Sequence, residues 1–156
     1  MLDDSTEQSS AKEPSTLQTI LLVEDDDANG ALLTHIIAQE TPYMVVHVAD
    51  SERALEVVQQ LKPTLFLLDY RLPRMNGIEL YDQLHALFEH VPAIILTTSI
   101  SKHEDEIKQR HLVGLAKPFE LDDLLETIER ACNPPIPPSS LREADRSTLS
   151  PPHDAL

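Results

Sequence analysis

Cysteine is nearly absent: Cys132 stands alone among 156 residues. No intrachain disulfide and no cysteine-based zinc site can therefore form. Glycine is scarce as well, with only Gly30, Gly77 and Gly114. Neither GxGxxG nor a P-loop can be written with three such positions, which removes the usual nucleotide-binding motifs. Positive charge is short: 12 Lys and Arg face 27 Asp and Glu, a net charge of −15. Non-specific nucleic-acid binding draws its affinity from cations on phosphates, so this balance argues against DNA, and an anionic membrane surface is disfavoured likewise. No apolar run approaches the roughly 20 residues of a membrane span. The opening MLDDSTEQSSAKEPSTLQTI lacks a basic start followed by an apolar stretch, so no signal peptide is expected. The expectation is a soluble, acidic protein of a reducing compartment, the cytoplasm.

Both ends read as tails. Residues 1–18 are rich in Ser, Thr, Gln and acids and offer too little apolar surface to offset the entropy of ordering. Residues 133–156 hold six of the twelve prolines, a composition that favours extended conformations. Between them, residues 19–132 suffice for one core. Thr19–Val23, Met44–Ala49, Thr64–Leu68, Ala93–Leu96 and Leu112–Ala116 are short apolar or β-branched runs, hence strands. Helical spacing predicts helices over Ala28–Glu40, from an N-cap at Asp50 or Ser51 to Leu61, and over Gly77–Phe88, Lys102–Gln109 and Glu120–Ala131. The first is expected to turn Ala31, Leu32, His35, Ile36 and Gln39 inward, widened by Leu33 and Ile37. Five βα units in a row predict a five-stranded parallel, doubly wound α/β sheet with helices on both faces.

Ligands of such sheets sit outside the carboxyl ends of the strands. The residues expected to follow the strands there are Glu24-Asp25-Asp26-Asp27, Asp69, Thr97 and Lys117. Gathered carboxylates repel one another unless a cation joins them. Oxygen-only ligands with few protein donors suit Mg²⁺. A cation so held attracts phosphate, Lys117 adds a second positive contact, and an aspartate can attack phosphorus to form an acyl phosphate. Singly, each residue reads as a cap, a turn or a solvated acid. Their convergence on one sheet edge is what points to phosphoryl chemistry.

These residues resemble the receiver domains of two-component response regulators over about 19–132. Ile20–Asp26 (ILLVEDD) is similar to that family's first strand and acidic pair, Glu24 and Asp25. Leu65–Leu80 (LFLLDYRLPRMNGIEL) resembles its phosphoacceptor segment, with Leu72-Pro73, Met75 and Asn76-Gly77 at the matching offsets. Ile94–Ser99 and Leu115–Phe119 supply the hydroxyl Thr97 and the cation Lys117. The resemblance implies the flavodoxin-like strand order 2-1-3-4-5 and a cis Lys117-Pro118 bond. It implies that Asp69 accepts a phosphoryl group from a phosphohistidine of a sensor histidine kinase or a histidine phosphotransfer protein. Mg²⁺ is then held by Asp25 and Asp69, by Glu24 through water and by the carbonyl of Arg71, with Thr97 and Lys117 on the phosphoryl group.

Three positions depart from the family's pattern. Gly114 stands where an aromatic is usual, which puts an aromatic-coupled output in doubt. Thr98 replaces a small residue beside the acceptor, and Arg71 sits over the site. A stand-alone receiver without an output domain is expected, one that is not itself an enzyme. Its signal would pass by protein–protein contact or onward phosphotransfer, and a homodimer stays open. The competing readings are a Mg²⁺-dependent phosphatase or phosphotransferase, which needs a cap for which no segment is long enough, and a receiver-like adaptor that is never phosphorylated. The seven histidines show no metal spacing and read as solvated or packed.

Overall fold

The computed structural model describes residues 18–133. The tails expected at 1–18 and 133–156 lie outside them except for Gln18 and Asn133. The elements alternate as β1 (Thr19–Val23), α1 (Asp27–Glu40), β2 (Met44–Val48), α2 (Ser51–Val57), β3 (Leu65–Asp69), α3 (Gly77–Leu87), β4 (Ala93–Thr97), α4 (Ile100–Gln109), β5 (Val113–Ala116) and α5 (Leu121–Cys132). All strand pairs are parallel, in the order β2-β1-β3-β4-β5. This is the expected flavodoxin-like topology.

Every residue of β1, β3 and β4 is buried, which is why those runs carry no polar alternation. Side chains still alternate between two cores. Ile20, Leu22, Leu65, Leu67, Ile94 and Leu96 meet Leu33 and Ile37 of α1 and Leu124 and Ile128 of α5. Leu21, Val23, Phe66, Leu68 and Ile95 meet α2, α3 and α4 on the other face. Each fully buried Leu or Ile is worth about 1.5–3 kcal/mol of burial, so both faces are needed to hold the central strands.

Several boundaries and one helix face differ from expectation. Asp69 and Thr97 close β3 and β4 rather than following them. The ladder runs on, because Tyr70 N–H donates to Leu96 O at 2.8 Å and Lys117 N–H to Thr97 O at 2.9 Å. α2 stops at Val57, with turns to Gln60, and Asp50 is its cap, accepting from Arg53 N at 2.8 Å. α1 buries Gly30, Leu33 and Ile37, while Ala31, His35 and Gln39 are exposed and Leu32 is 56% exposed. The physical reason is Gly30: a Cβ there would lie 2.1 Å from the His47 ring, so α1 docks through its glycine.

α4 is fastened to α3 by a two-pronged pair. Arg110 Nε and Nη2 donate to the Asp82 carboxylate at 2.7 and 2.9 Å. This holds the Asp82 carboxyl below its ordinary value of 3.8. A depressed carboxyl contributes stability above its unfolded pKa and loses it as pH falls through the folded one. Asp82→Asn should cost about 0.2–1 kcal/mol at pH 7, the range for exposed pairs. The difference from wild type should fade in denaturant melts as pH falls below 3.8 and the wild-type carboxyl protonates. Equal stability at pH 7 would show that the pair contributes nothing.

Candidate functional site

Two strand ends, of β3 and β4, and the loops after β1 and β5 deliver the polar groups to one place. Glu24 leaves β1 only 2% exposed. Its Oε2 accepts from Asp26 N–H at 3.2 Å, and its carbonyl accepts from His47 Nε2 at 2.9 Å. Asp26 is spent as the cap of α1, accepting from Asn29 N–H at 2.9 Å, and Asp27 begins the helix. Of the four-acid run, Glu24 and Asp25 remain to cluster with Asp69. Asp69 ends β3 at 5% exposure.

Lys117 Nζ stands 2.7 Å from Asp69 Oδ1 and 3.7 Å from Glu24 Oε1. It follows β5, and the Lys117-Pro118 bond is cis, as the resemblance implied. Thr97 Oγ1 accepts from Ser99 N–H at 3.1 Å. The five side chains expected to act therefore meet. Arg71, Thr98 and the start of α4 complete the walls of a cavity of about 410 Å³.

Glu24, Asp25 and Asp69 each place a carboxylate oxygen within 4.8 Å of the others. Burial, then the neighbouring Asp69 charge, raises the Glu24 carboxyl above 4.5. Burial likewise raises Asp69 above 3.8, opposed by its hydrogen bond to Lys117. One ammonium does not neutralise three carboxylates held this close. Oxygen donors alone, partly buried and with one carboxylate open to solvent, fit a hard divalent cation that keeps some of its water.

Two features escaped the sequence. Gly77 opens α3 against the end of β3, where a Cβ would lie 2.4 Å from the carbonyl oxygen of Asp69. The Tyr70 and His103 rings stack with centroids 3.8 Å apart, joining α4 to the residue after Asp69. A polar helix with an unremarkable histidine gives no such signal before the chain is folded. Gly114 now has an account: Ile100 Cδ1 and Ile107 Cδ1 would stand 2.8 and 3.1 Å from a Cβ there. α4 has filled the space in which a side chain at that position would lie.

The chain is similar to known proteins in sequence and in fold. The family described as Response regulator receiver domain matches residues 20–129. Sporulation initiation phosphotransferase F of Bacillus subtilis is 28% identical over 115 residues, 72% of this chain and 92% of that protein. The Positive alginate biosynthesis regulatory protein of Pseudomonas aeruginosa is 30% identical over 142 residues, 84% of this chain. The match spans only 57% of that protein's length. Among solved structures, chemotaxis protein CheY4 of Vibrio cholerae aligns with a TM-score of 0.68 at 28% identity, over 74% of this chain and 99% of that one. The non-phosphorylated HemR receiver domain of Leptospira biflexa gives 0.70 at 27% identity, over 77% and 98%. Among the described residues, no helix is long and apolar enough to cross a membrane.

Proposed function

The chain belongs to the response regulator receiver domain family, and from that premise we propose that Asp69 is its phosphoacceptor. The observation that carries this reading is the Asp69 carboxylate, 2.7 Å from the Lys117 ammonium at the floor of the cavity. An Asp69 oxygen attacks the phosphorus of a phosphohistidine; the new P–O bond replaces the P–N bond, and the departing imidazole takes up a proton. Lys117 neutralises charge on the phosphoryl oxygens, and Thr97 offers its hydroxyl to one of them. Asp25 and Asp69 would hold Mg²⁺ directly, Glu24 through water, and Arg71 through its carbonyl. When bound, that ion supplies charge neutralisation at the phosphoryl group. The partner upstream is a sensor histidine kinase or a histidine phosphotransfer protein, and output is by protein contact or onward transfer. The loops on this edge are short, the longest running over 70–76, so among the described residues none forms a cap of the kind a phosphatase on free substrates would need.

A small-molecule phosphodonor with Mg²⁺ should add one phosphoryl group, read by intact mass. Even outer-shell partners of a metal are worth about 10- to 100-fold in affinity, so Asp25→Ala should cost Mg²⁺ binding at least that much and slow phosphorylation. The fold should survive, because Asp25 is exposed and its charge only adds repulsion. A wild-type mass that stays unchanged after treatment would reject the phosphoacceptor reading. An unaltered Mg²⁺ titration in Asp25→Ala would reject the metal assignment.

A further inference from the structure

In so acidic a chain most cations find a carboxylate, and the exceptions carry information. Among the described residues, Lys62, Arg71 and Lys102 are the ones with no carboxylate oxygen within 4.0 Å. Two of them, Arg71 and Lys102, line the cavity that holds Asp69. They come from different elements, the loop after β3 and the first turn of α4. Cations kept apart from carboxylates at one concave surface make that surface attractive to an anion.

The first turn of α4 is also placed to respond. His103, the neighbour of Lys102, stacks on Tyr70, and its side chain is only 15% exposed. This end of the helix has no acidic residue in its first turn and no side-chain cap. It is tied through Ser99 N–H to the Thr97 hydroxyl. The other end is pinned to α3 through Arg110 and Asp82. Charge appearing in the cavity therefore meets a helix start whose contacts, the His103 stack and the Ser99 N–H, lead to the residues beside Asp69 and to Thr97. Ile100 and Ile107 occupy the space beside Gly114, so no side chain there can relay the change.

We propose that Lys102, together with Arg71, is a second cationic contact for the phosphoryl group, outside Lys117. The contact then holds the first turn of α4, which carries Lys102, against the phosphoryl group. This rests on Asp69 being the phosphoacceptor, and it names a further binding residue for that site. Lys102 acts as a binding residue for the phosphoryl group itself.

The test uses the full chain with Mg²⁺ and beryllofluoride, a phosphoryl mimic, with binding followed by ¹⁹F NMR and backbone protection by hydrogen exchange. In wild type, amides 101–104 should exchange more slowly with the mimic bound, while amides 107–110 change little. Lys102→Gln should weaken mimic binding about three- to tenfold at low salt, the range for a charge-assisted contact open to solvent, and abolish the change at 101–104. Lys102→Arg should restore both, which a packing role for the lysine stem would not predict. Mg²⁺ affinity without the mimic should not fall, because a cation has been removed beside a cation site. If the mimic binds wild type and Lys102→Gln equally, or α4 is unchanged on binding, the proposal is overturned and the phosphoacceptor reading stands. If wild type takes up neither mimic nor phosphoryl group, both fall together.

Discussion

Asp69→Asn should abolish phosphorylation while leaving the fold in place. The amide keeps the size of the carboxyl group and can still accept a hydrogen bond from Lys117, but it offers no anionic oxygen to attack phosphorus. No neighbour is placed to substitute. Glu24 is 2% exposed, stands 3.7 Å from Lys117, and spends Oε2 on Asp26 N–H. Asp25 is exposed and, among the described residues, has no ammonium within 4.0 Å. Intact mass after phosphodonor treatment should therefore show the unmodified variant, and a phosphoryl group added at the wild-type rate would sink the assignment.

The same variant has a signature in stability. The raised Glu24 and Asp69 carboxyls favour the folded state while protonated. That stability is present below their unfolded values and lost as pH rises through the folded ones. Metal-free wild type should thus weaken from about pH 4 upward, and Asp69→Asn should flatten the slope, since it removes one of the two groups and the charge that adds to burial in raising the other.

What the sequence made legible follows from how each signal is encoded. Runs such as Leu65–Leu68 are apolar because both faces of the sheet are covered, and a buried strand can be read from that alone. Strand ends placed Asp69, Thr97 and Lys117 on one edge because parallel strands share a direction. Hydropathy could not say which face of α1 turns inward: the docking residue is Gly30, which carries no apolar signal, while the larger Leu32 is left outside. It also could not divide the acidic run. Asp26 is a helix cap and Glu24 a buried carboxylate, a distinction set by backbone direction after β1 rather than by residue type. The stack of Tyr70 on His103 joins residues far apart in the chain, and His103 belongs to no motif. Such contacts become visible only after the topology brings α4 beside β3.

Gly77→Ala should damage both stability and chemistry, more than its single methyl suggests. Asn76 caps α3 in a reciprocal box with Glu79, its side chain accepting from Glu79 N–H at 2.8 Å. Gly77 N–H donates to Tyr70 O at 2.8 Å, which seats the helix start directly on the phosphoacceptor turn. The added Cβ would lie 2.4 Å from Asp69 O, 3.1 Å from its carbonyl carbon and 3.2 Å from Tyr70 Cα. All three are backbone atoms at the end of a buried strand and cannot rotate away. At Gly30 the obstacle is instead the His47 side chain, which can turn aside by giving up its bond to Glu24 O. Overpacking against fixed atoms typically costs about 1–3 kcal/mol. The strain falls on Asp69 itself, and a misplacement near 1 Å can cost about 100-fold in rate. The expected result is a Gly77→Ala protein with a lower unfolding midpoint whose phosphorylation is slowed by far more than its folded fraction explains. Gly30→Ala should lose less of either. Wild-type stability together with a wild-type phosphorylation rate in Gly77→Ala would mean that α3 can back away from β3 at no cost, and that the acceptor carboxylate is not held by this contact.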